Sequence, residues 1–256
     1  MQHPEAISLN YTDTGGSDSA PVLLLHGGGS SSATWVQLTA ELTRRGRRVI
    51  IPDLRGHGAS PRSADYRLVS YHADIVRLLT DLGLGSVDVV GHSLGGHVAL
   101  SLAQHEPAMV RRLIAEEPAV PSRNGARRRR YRQLIKMVLG GLRHRRFDPA
   151  AVGSVIAELD RPGGMWWDRL PDIAAPTLLI RGGSRSHISQ DDMTDIGRLI
   201  PHCQRVTIPV GHRVHSLAPG AFSDAVVAFL SCAGEEPATC DRVPASPDRP
   251  GSLGEW

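Results

Sequence analysis

Two segments of this 256-residue sequence combine residue types at a spacing that suits acyl transfer. The first is Gly91-His92-Ser93-Leu94-Gly95-Gly96, entered from the apolar run Val87–Val90 and followed at once by helical spacing. A serine on so sharp a strand-to-helix turn stands clear of the strand end, and glycines two residues to either side leave room for the crossing. The second is Leu23-Leu24-Leu25-His26-Gly27-Gly28-Gly29, a strand that ends in a glycine loop. Glycines let backbone N–H groups face a site with no side chain in the way. Each such donor at a developing oxyanion is worth roughly 3–4 kcal/mol. The amides of Gly28 and Leu94 are the candidates. Phosphate binding, the rival use of a glycine loop, needs G-x-x-x-x-G-K-[ST] or G-x-G-x-x-G in context, and neither fits here.

The elements that must position these residues follow from the apolar pattern. Val22–Leu25, Val49–Ile51, Val87–Val90, Leu113–Ala115, Thr177–Ile180 and Val206–Ile208 are short runs bounded by Gly, Pro or Asp, the signature of buried parallel strands. Between them, Trp35–Arg45, Tyr71–Leu82, Gly95–His105 and Ala221–Leu230 show helical periodicity. Strand alternating with helix predicts an α/β fold with a doubly wound, mostly parallel sheet. The alternation holds over 1–120 and 172–233. Residues 121–171 interrupt it with a helical stretch at Tyr131–Leu142 and the pair Trp166–Trp167, and are expected to form a small helical cap over the carboxyl edge of the sheet. From 234 to 256 the chain is rich in Pro, Glu, Asp and Ser and is expected to be disordered.

Composition narrows the function classes. Lys+Arg of 29 against Asp+Glu of 26 leaves a net charge of only +3, and much of the excess lies at Arg127, Arg128, Arg129 and Arg130, so no nucleic-acid footprint is expected. That run is read as a solvated helix face, its alternative being a patch for an anionic substrate or carrier. Cys203, Cys232 and Cys240 have no metal-type spacing and suggest a reducing, cytoplasmic setting. No secretory signal is visible at the start, and no apolar run approaches the roughly 20 residues that span a bilayer. Oligomeric state is not legible.

Taken together, His26–Gly29, Trp35, Pro52-Asp53-Leu54-Arg55-Gly56-His57-Gly58-Ala59-Ser60, Gly91–Gly96 and Pro209-Val210-Gly211-His212 resemble the α/β-hydrolase superfamily, in that family's order and over about residues 7–232 apart from the cap. The resemblance implies an eight-stranded sheet, Ser93 as nucleophile, His212 as catalytic histidine and no metal or organic cofactor. His215 is the rival histidine. His26 and His92 match positions that usually support loop geometry, and Gly27 and His92 are also candidates to line the substrate site.

The triad acid departs from the common pattern. In most relatives an Asp follows the strand matching Thr177–Ile180, but here Arg181–Ser189 holds no carboxylate, and Asp191 and Asp192 fall where a helix should begin. The superfamily has a second position, after the preceding strand, and there stand Glu116 and Glu117. Two glutamates at a buried strand end cost several kcal/mol unless they have partners. Glu117 lies 24 residues after Ser93, the interval expected from haloalkane dehalogenases and zearalenone-lactonase-like hydrolases, and is the expected acid. Glu116 is the alternative, then Asp191 or Asp192. Neighbours on a strand point to opposite faces, so only one glutamate can meet His212.

Resemblance to the lactonase-like branch implies hydrolysis of an ester or lactone of a hydrophobic small molecule, with Trp166 or Trp167 lining the pocket. Cleavage of a diketone C–C bond, a biosynthetic thioesterase or cyclase, and a receptor-like homologue that binds without turnover remain as alternatives.

Overall fold

A computed structural model describes residues 5–16, 20–123 and 147–231 of the chain. Seven strands form one sheet: β1 (Tyr11–Asp13), β2 (Val22–Leu25), β3 (Val49–Pro52), β4 (Val87–His92), β5 (Val110–Glu116), β6 (Thr177–Arg181) and β7 (Cys203–Thr207), in the order β1-β3-β2-β4-β5-β6-β7. Among these seven strands only β1 pairs antiparallel, with β3. The doubly wound α/β sheet is therefore present, with seven strands among the described residues where eight were expected. Residues 5–10 form no further strand, and two of their amides go to side chains instead: Ile7 N–H donates to Asp74 at 2.8 Å and Asn10 N–H to the Ser60 hydroxyl at 2.8 Å.

Strand alternation sorts the core into two layers. Leu23, Leu25, Ile50, Val87, Val89, Leu113, Ala115 and Leu179 face one side, under α2 (Leu68–Asp81) and α3 (Leu94–His105). Val22, Leu24, Val49, Ile51, Val90, Ile114, Leu178 and Ile180 face the other, under α1 (Val36–Arg44) and the C-terminal helix (Pro219–Ser231). Because both faces are covered, β2 and β3 read as unbroken apolar runs.

In the region expected as a cap, α4 (Pro149–Leu159) starts with Pro149 in its first turn and with Asp148 as N-cap, whose carboxylate accepts from Ala150 N–H at 2.9 Å. Its Val152, Val155, Ile156 and Leu159 recur at helical spacing and make one apolar face. The helix α5 (Gly164–Asp168) follows. The predicted helical stretch Tyr131–Leu142, the arginines 127–130 and the expected disordered tail lie outside the described residues. Among the described residues the remaining α-helices are α6 (Gln190–Leu199), α7 (Val214–Leu217) and α8 (Pro219–Ser231). Among the described residues no helix is long and apolar enough to cross a membrane.

One buried ion pair braces the segment after β3. Arg55, with no exposed surface, makes a two-pronged contact with Asp74, both bonds 2.6 Å, and spends its other donors on the carbonyls of Asp65 and Glu5. Removing the carboxylate leaves a buried guanidinium charge uncompensated. Asp74→Ala is therefore expected to cost about 3–5 kcal/mol in urea unfolding, and a loss under about 1 kcal/mol would contradict that reading.

Candidate active site

Ser93 sits between β4 and α3 with φ 51° and ψ −111°. The turn is held by Ser93 N–H on the Glu116 carbonyl at 3.0 Å and by its own carbonyl accepting from Ala119 N–H at 2.9 Å. The flanking glycines are dictated by close approach. A Cβ on Gly91 would collide with the Gly95 carbonyl, and one on Gly95 with the Leu25 carbonyl. A Cβ on Gly27 would stand 2.6 Å from His92 Nδ1 and 3.3 Å from Ser93 Cβ. Ser93 and Glu117, at φ 45°, are the two non-glycine residues with positive φ among those described. Such backbone costs about 1–3 kcal/mol each and persists where the surroundings impose it.

The glycine loop is fixed from below by the segment after β3. His26 donates from Nδ1 to the Gly27 carbonyl at 2.8 Å and accepts Leu54 N–H on Nε2 at 3.0 Å. Gly29 N–H donates to His57 Nε2 at 3.0 Å and Ser32 N–H to Asp53 at 2.7 Å. Neither the Gly28 nor the Leu94 amide is spent on another group among the described residues. A Cβ on Gly28 would lie 4.0 Å from that of Leu94, so the two candidate donors are neighbours.

Glu116 and Glu117 both reach histidines, which sequence reasoning did not foresee. Glu117 follows β5 with its carboxylate fully buried. It accepts Gly182 N–H at 2.5 Å and the Ser186 hydroxyl, and lies 3.5 Å from His212 Nδ1. Glu116 turns the other way, accepting His215 N–H at 2.9 Å and meeting His215 Nδ1 at 2.7 Å. The second pair is the tighter one, but the far nitrogen of its ring is occupied: His215 Nε2 accepts the Thr34 hydroxyl at 2.7 Å. His212 Nε2 has no partner among the described residues, and His212 and Ser93 line the same cavity. His92 Nε2 donates to the His212 carbonyl at 2.9 Å, so its ring supports the loop while also lining the cavity. Asp191 and Asp192 occupy the first turn of α6, the former exposed and the latter buried.

Four histidines crowd this end of the sheet. The His212 ring centroid is 3.9 Å from that of His187 and 4.7 Å from that of His92, which is 4.6 Å from His215. Burial, with His187, His215 and Arg213 nearby, holds His212 well below the usual histidine pKa. Burial also lowers His92 to about 3 and His215 to about 4, and pushes Glu116 up to about 7. It raises Glu117 too, against the bonds from Gly182 and Ser186. A general base works in its neutral form, so lowering its pKa extends activity toward acid. The acid limb of kcat/KM is expected to have its midpoint below the unperturbed value of about 6.5, and a midpoint above it would contradict this environment. His92, Glu116 and His215 also bring three potential metal-ligand atoms within 4.8 Å of one another, but each already has a protein hydrogen-bond partner.

The cavity has a volume of about 810 Å³ and is lined by Gly27, Gly28, Ser93 and Leu94, by Phe147 and the apolar face of α4, and by the loops carrying Arg185, His187, His212 and Arg213. Neither tryptophan expected to line it does so. Trp167 is buried in the core with its indole N–H on the Pro121 carbonyl at 3.0 Å. Trp166 stacks on His97, centroids 5.3 Å apart, beside a separate cavity of about 430 Å³. With so short a helix, both rings pack back onto α3 and the core, while α4 supplies the wall facing Ser93. Phe147, His187 and Thr34 were missed, since no motif marks them.

The mostly parallel, doubly wound sheet with a serine on the turn after β4 has counterparts among known proteins. Residues 20–138 match the model of the alpha/beta hydrolase fold family. The chain is 31% identical to an sn-1-specific diacylglycerol lipase (ABHD11) of Mus musculus, over 89% of this chain and 86% of that protein. It is 30% identical to the magnesium-chelatase 30 kDa subunit of Rhodobacter capsulatus, over 85% of this chain and 89% of that protein. Among solved structures, a thermophilic esterase from Thermogutta terrifontis superposes with a TM-score of 0.71 at 28% identity, covering 87% of this chain and 92% of the esterase. The chain belongs to the α/β-hydrolase fold family.

Proposed function

We propose that the protein is a serine hydrolase that cleaves an ester or lactone of a small molecule through a Ser93–His212–Glu117 triad. One observation carries the reading: the two strained non-glycine residues, Ser93 and Glu117, stand at the ends of adjacent strands, and Glu117 holds the histidine whose free nitrogen shares the cavity with Ser93. In the cycle, Ser93 Oγ attacks the carbonyl carbon and its proton passes to His212 Nε2. The Gly28 and Leu94 amides receive the negative oxygen. His212 then gives that proton to the departing alcohol. A water deprotonated by His212 attacks the acyl carbon, the bond to Ser93 Oγ breaks, and the proton on His212 returns to Ser93. Glu117 holds the ring with Nδ1–H toward its carboxylate.

Ester chemistry is favoured because the mouse relative is a lipase and the Thermogutta neighbour an esterase. Closeness to zearalenone-lactonase-like hydrolases rests on the position of Glu117 alone, and serine at the turn argues against dehalogenase and epoxide-hydrolase chemistry. The apolar face of α4 supports a hydrophobic acyl portion. A stopped-flow test with 4-nitrophenyl butyrate is expected to show a burst of nitrophenol stoichiometric with enzyme, or steady turnover, in the wild type and neither in Ser93→Ala. Equal release by both proteins would overturn the proposal.

A further inference from the structure

The cleft has two unlike ends. On the side of the Gly28 amide stands the apolar wall of α4, with Val152 Cγ2 3.8 Å from where a Gly28 Cβ would be. On the side of His212 stand two arginines. Arg213 follows His212 directly, and the Cβ of Arg185 lies 3.6 Å from where a Gly211 Cβ would be, so both residues stand beside the loop that carries the histidine. Both are exposed and line the cavity, and neither has an ion-pair or hydrogen-bond partner among the described residues. Among the described residues no Asp or Glu lines the cavity, and Glu116 and Glu117 lie fully buried. With a net charge of only +3 over the whole chain, this is a local concentration of positive charge rather than a general one.

A guanidinium beside a base, with no partner among the described residues, works against protonation of that base unless an anion answers it. When His212 takes the Ser93 proton it becomes a cation, and Arg213 already disfavours that charge. An anion held at Arg185 and Arg213 offsets the repulsion, and the planar guanidinium fork suits carboxylate or phosphate oxygens. Since the departing alcohol must reach His212 while the acyl chain lies toward Gly28 and α4, the anion belongs on the alcohol side.

We propose that Arg185 and Arg213 form a subsite for an anionic group, carboxylate or phosphate, on the leaving alcohol of an ester or lactone whose acyl portion is apolar. This inference rests on the reading of Ser93 as nucleophile.

The test compares 4-(butanoyloxy)benzoate, its methyl ester and 4-(butanoyloxy)phenylphosphonate, whose relative rates separate carboxylate from phosphate as the preferred anion. In the wild type kcat/KM for at least one anionic ester should exceed that of the methyl ester by about tenfold or more, although the methyl ester has the better leaving group. That ratio should shrink between about 0.01 M and 1 M salt as the charges are screened. It should fall to about one in the Arg185→Gln, Arg213→Gln double variant, with kcat contributing as well as KM. The ratio is the readout because changing Arg213 also alters His212, and that alteration acts on all three esters alike. A wild-type preference for the methyl ester, or an anion preference that survives in the double variant, overturns the subsite and leaves Ser93-dependent hydrolysis standing. If no ester is hydrolysed in a Ser93-dependent way, both the proposed function and the subsite fall.

Discussion

Ser93→Ala is expected to lower kcat/KM for an activated ester by roughly 10⁴-fold or more, leaving only the contribution of binding and of the oxyanion donors. The size of the effect follows from position. Ser93 is the hydroxyl at the end of β4 that the strained turn lifts into the cavity, next to the Gly28 and Leu94 amides. Alanine keeps the same backbone strain, so its thermal stability should stay close to wild type. Ser93→Gly removes the cost of a Cβ at positive φ and should be more stable than wild type by about 1 kcal/mol, while equally inactive. A Ser93→Gly variant less stable than wild type would show that the turn is not under strain.

Glu117→Gln is expected to reduce kcat by up to roughly 10⁴-fold, because an amide facing His212 Nδ1 favours the wrong tautomer and offers no charge to the imidazolium. Glu116→Gln separates the two carboxylate–histidine pairs. It breaks the buried contact with His215, whose other nitrogen is committed to Thr34, so its effect should fall mainly on stability, with kcat reduced less than about tenfold. The reverse ranking would move the acid to Glu116 and the base to His215.

Much of this site can be read in the sequence because the chemistry demands unusual residues in unusual places. Two glutamates at the end of a buried strand are too costly to be idle, and the glycines around Ser93 are required by backbone crossings. The central strands are legible because coverage on both faces leaves each a run of consecutive apolar residues, such as Val22–Leu25 in β2 and Leu113–Ala115 in β5. The edges were less so. β1, three residues of Tyr-Thr-Asp and mostly exposed, has no apolar run to announce it. β7 begins at Cys203 rather than Val206, because Gln204 and Arg205 interrupt the apolar run of an edge strand that is at most partly buried. The tryptophans were misplaced because a pair of adjacent aromatics does not say which face of a short helix meets the cleft. The coupling of Glu116 to His215 and the approach of Arg185 to Gly211 depend on how distant loops meet, which no local pattern encodes.

The most direct measurement is intact mass after exposure to a serine-reactive fluorophosphonate, with wild type, Ser93→Ala and Glu117→Gln side by side. A single adduct on the wild type, none on Ser93→Ala and much slower formation on Glu117→Gln is the predicted result. Labelling of Ser93→Ala, or labelling of Glu117→Gln as fast as wild type, would contradict the triad at its nucleophile or at its acid.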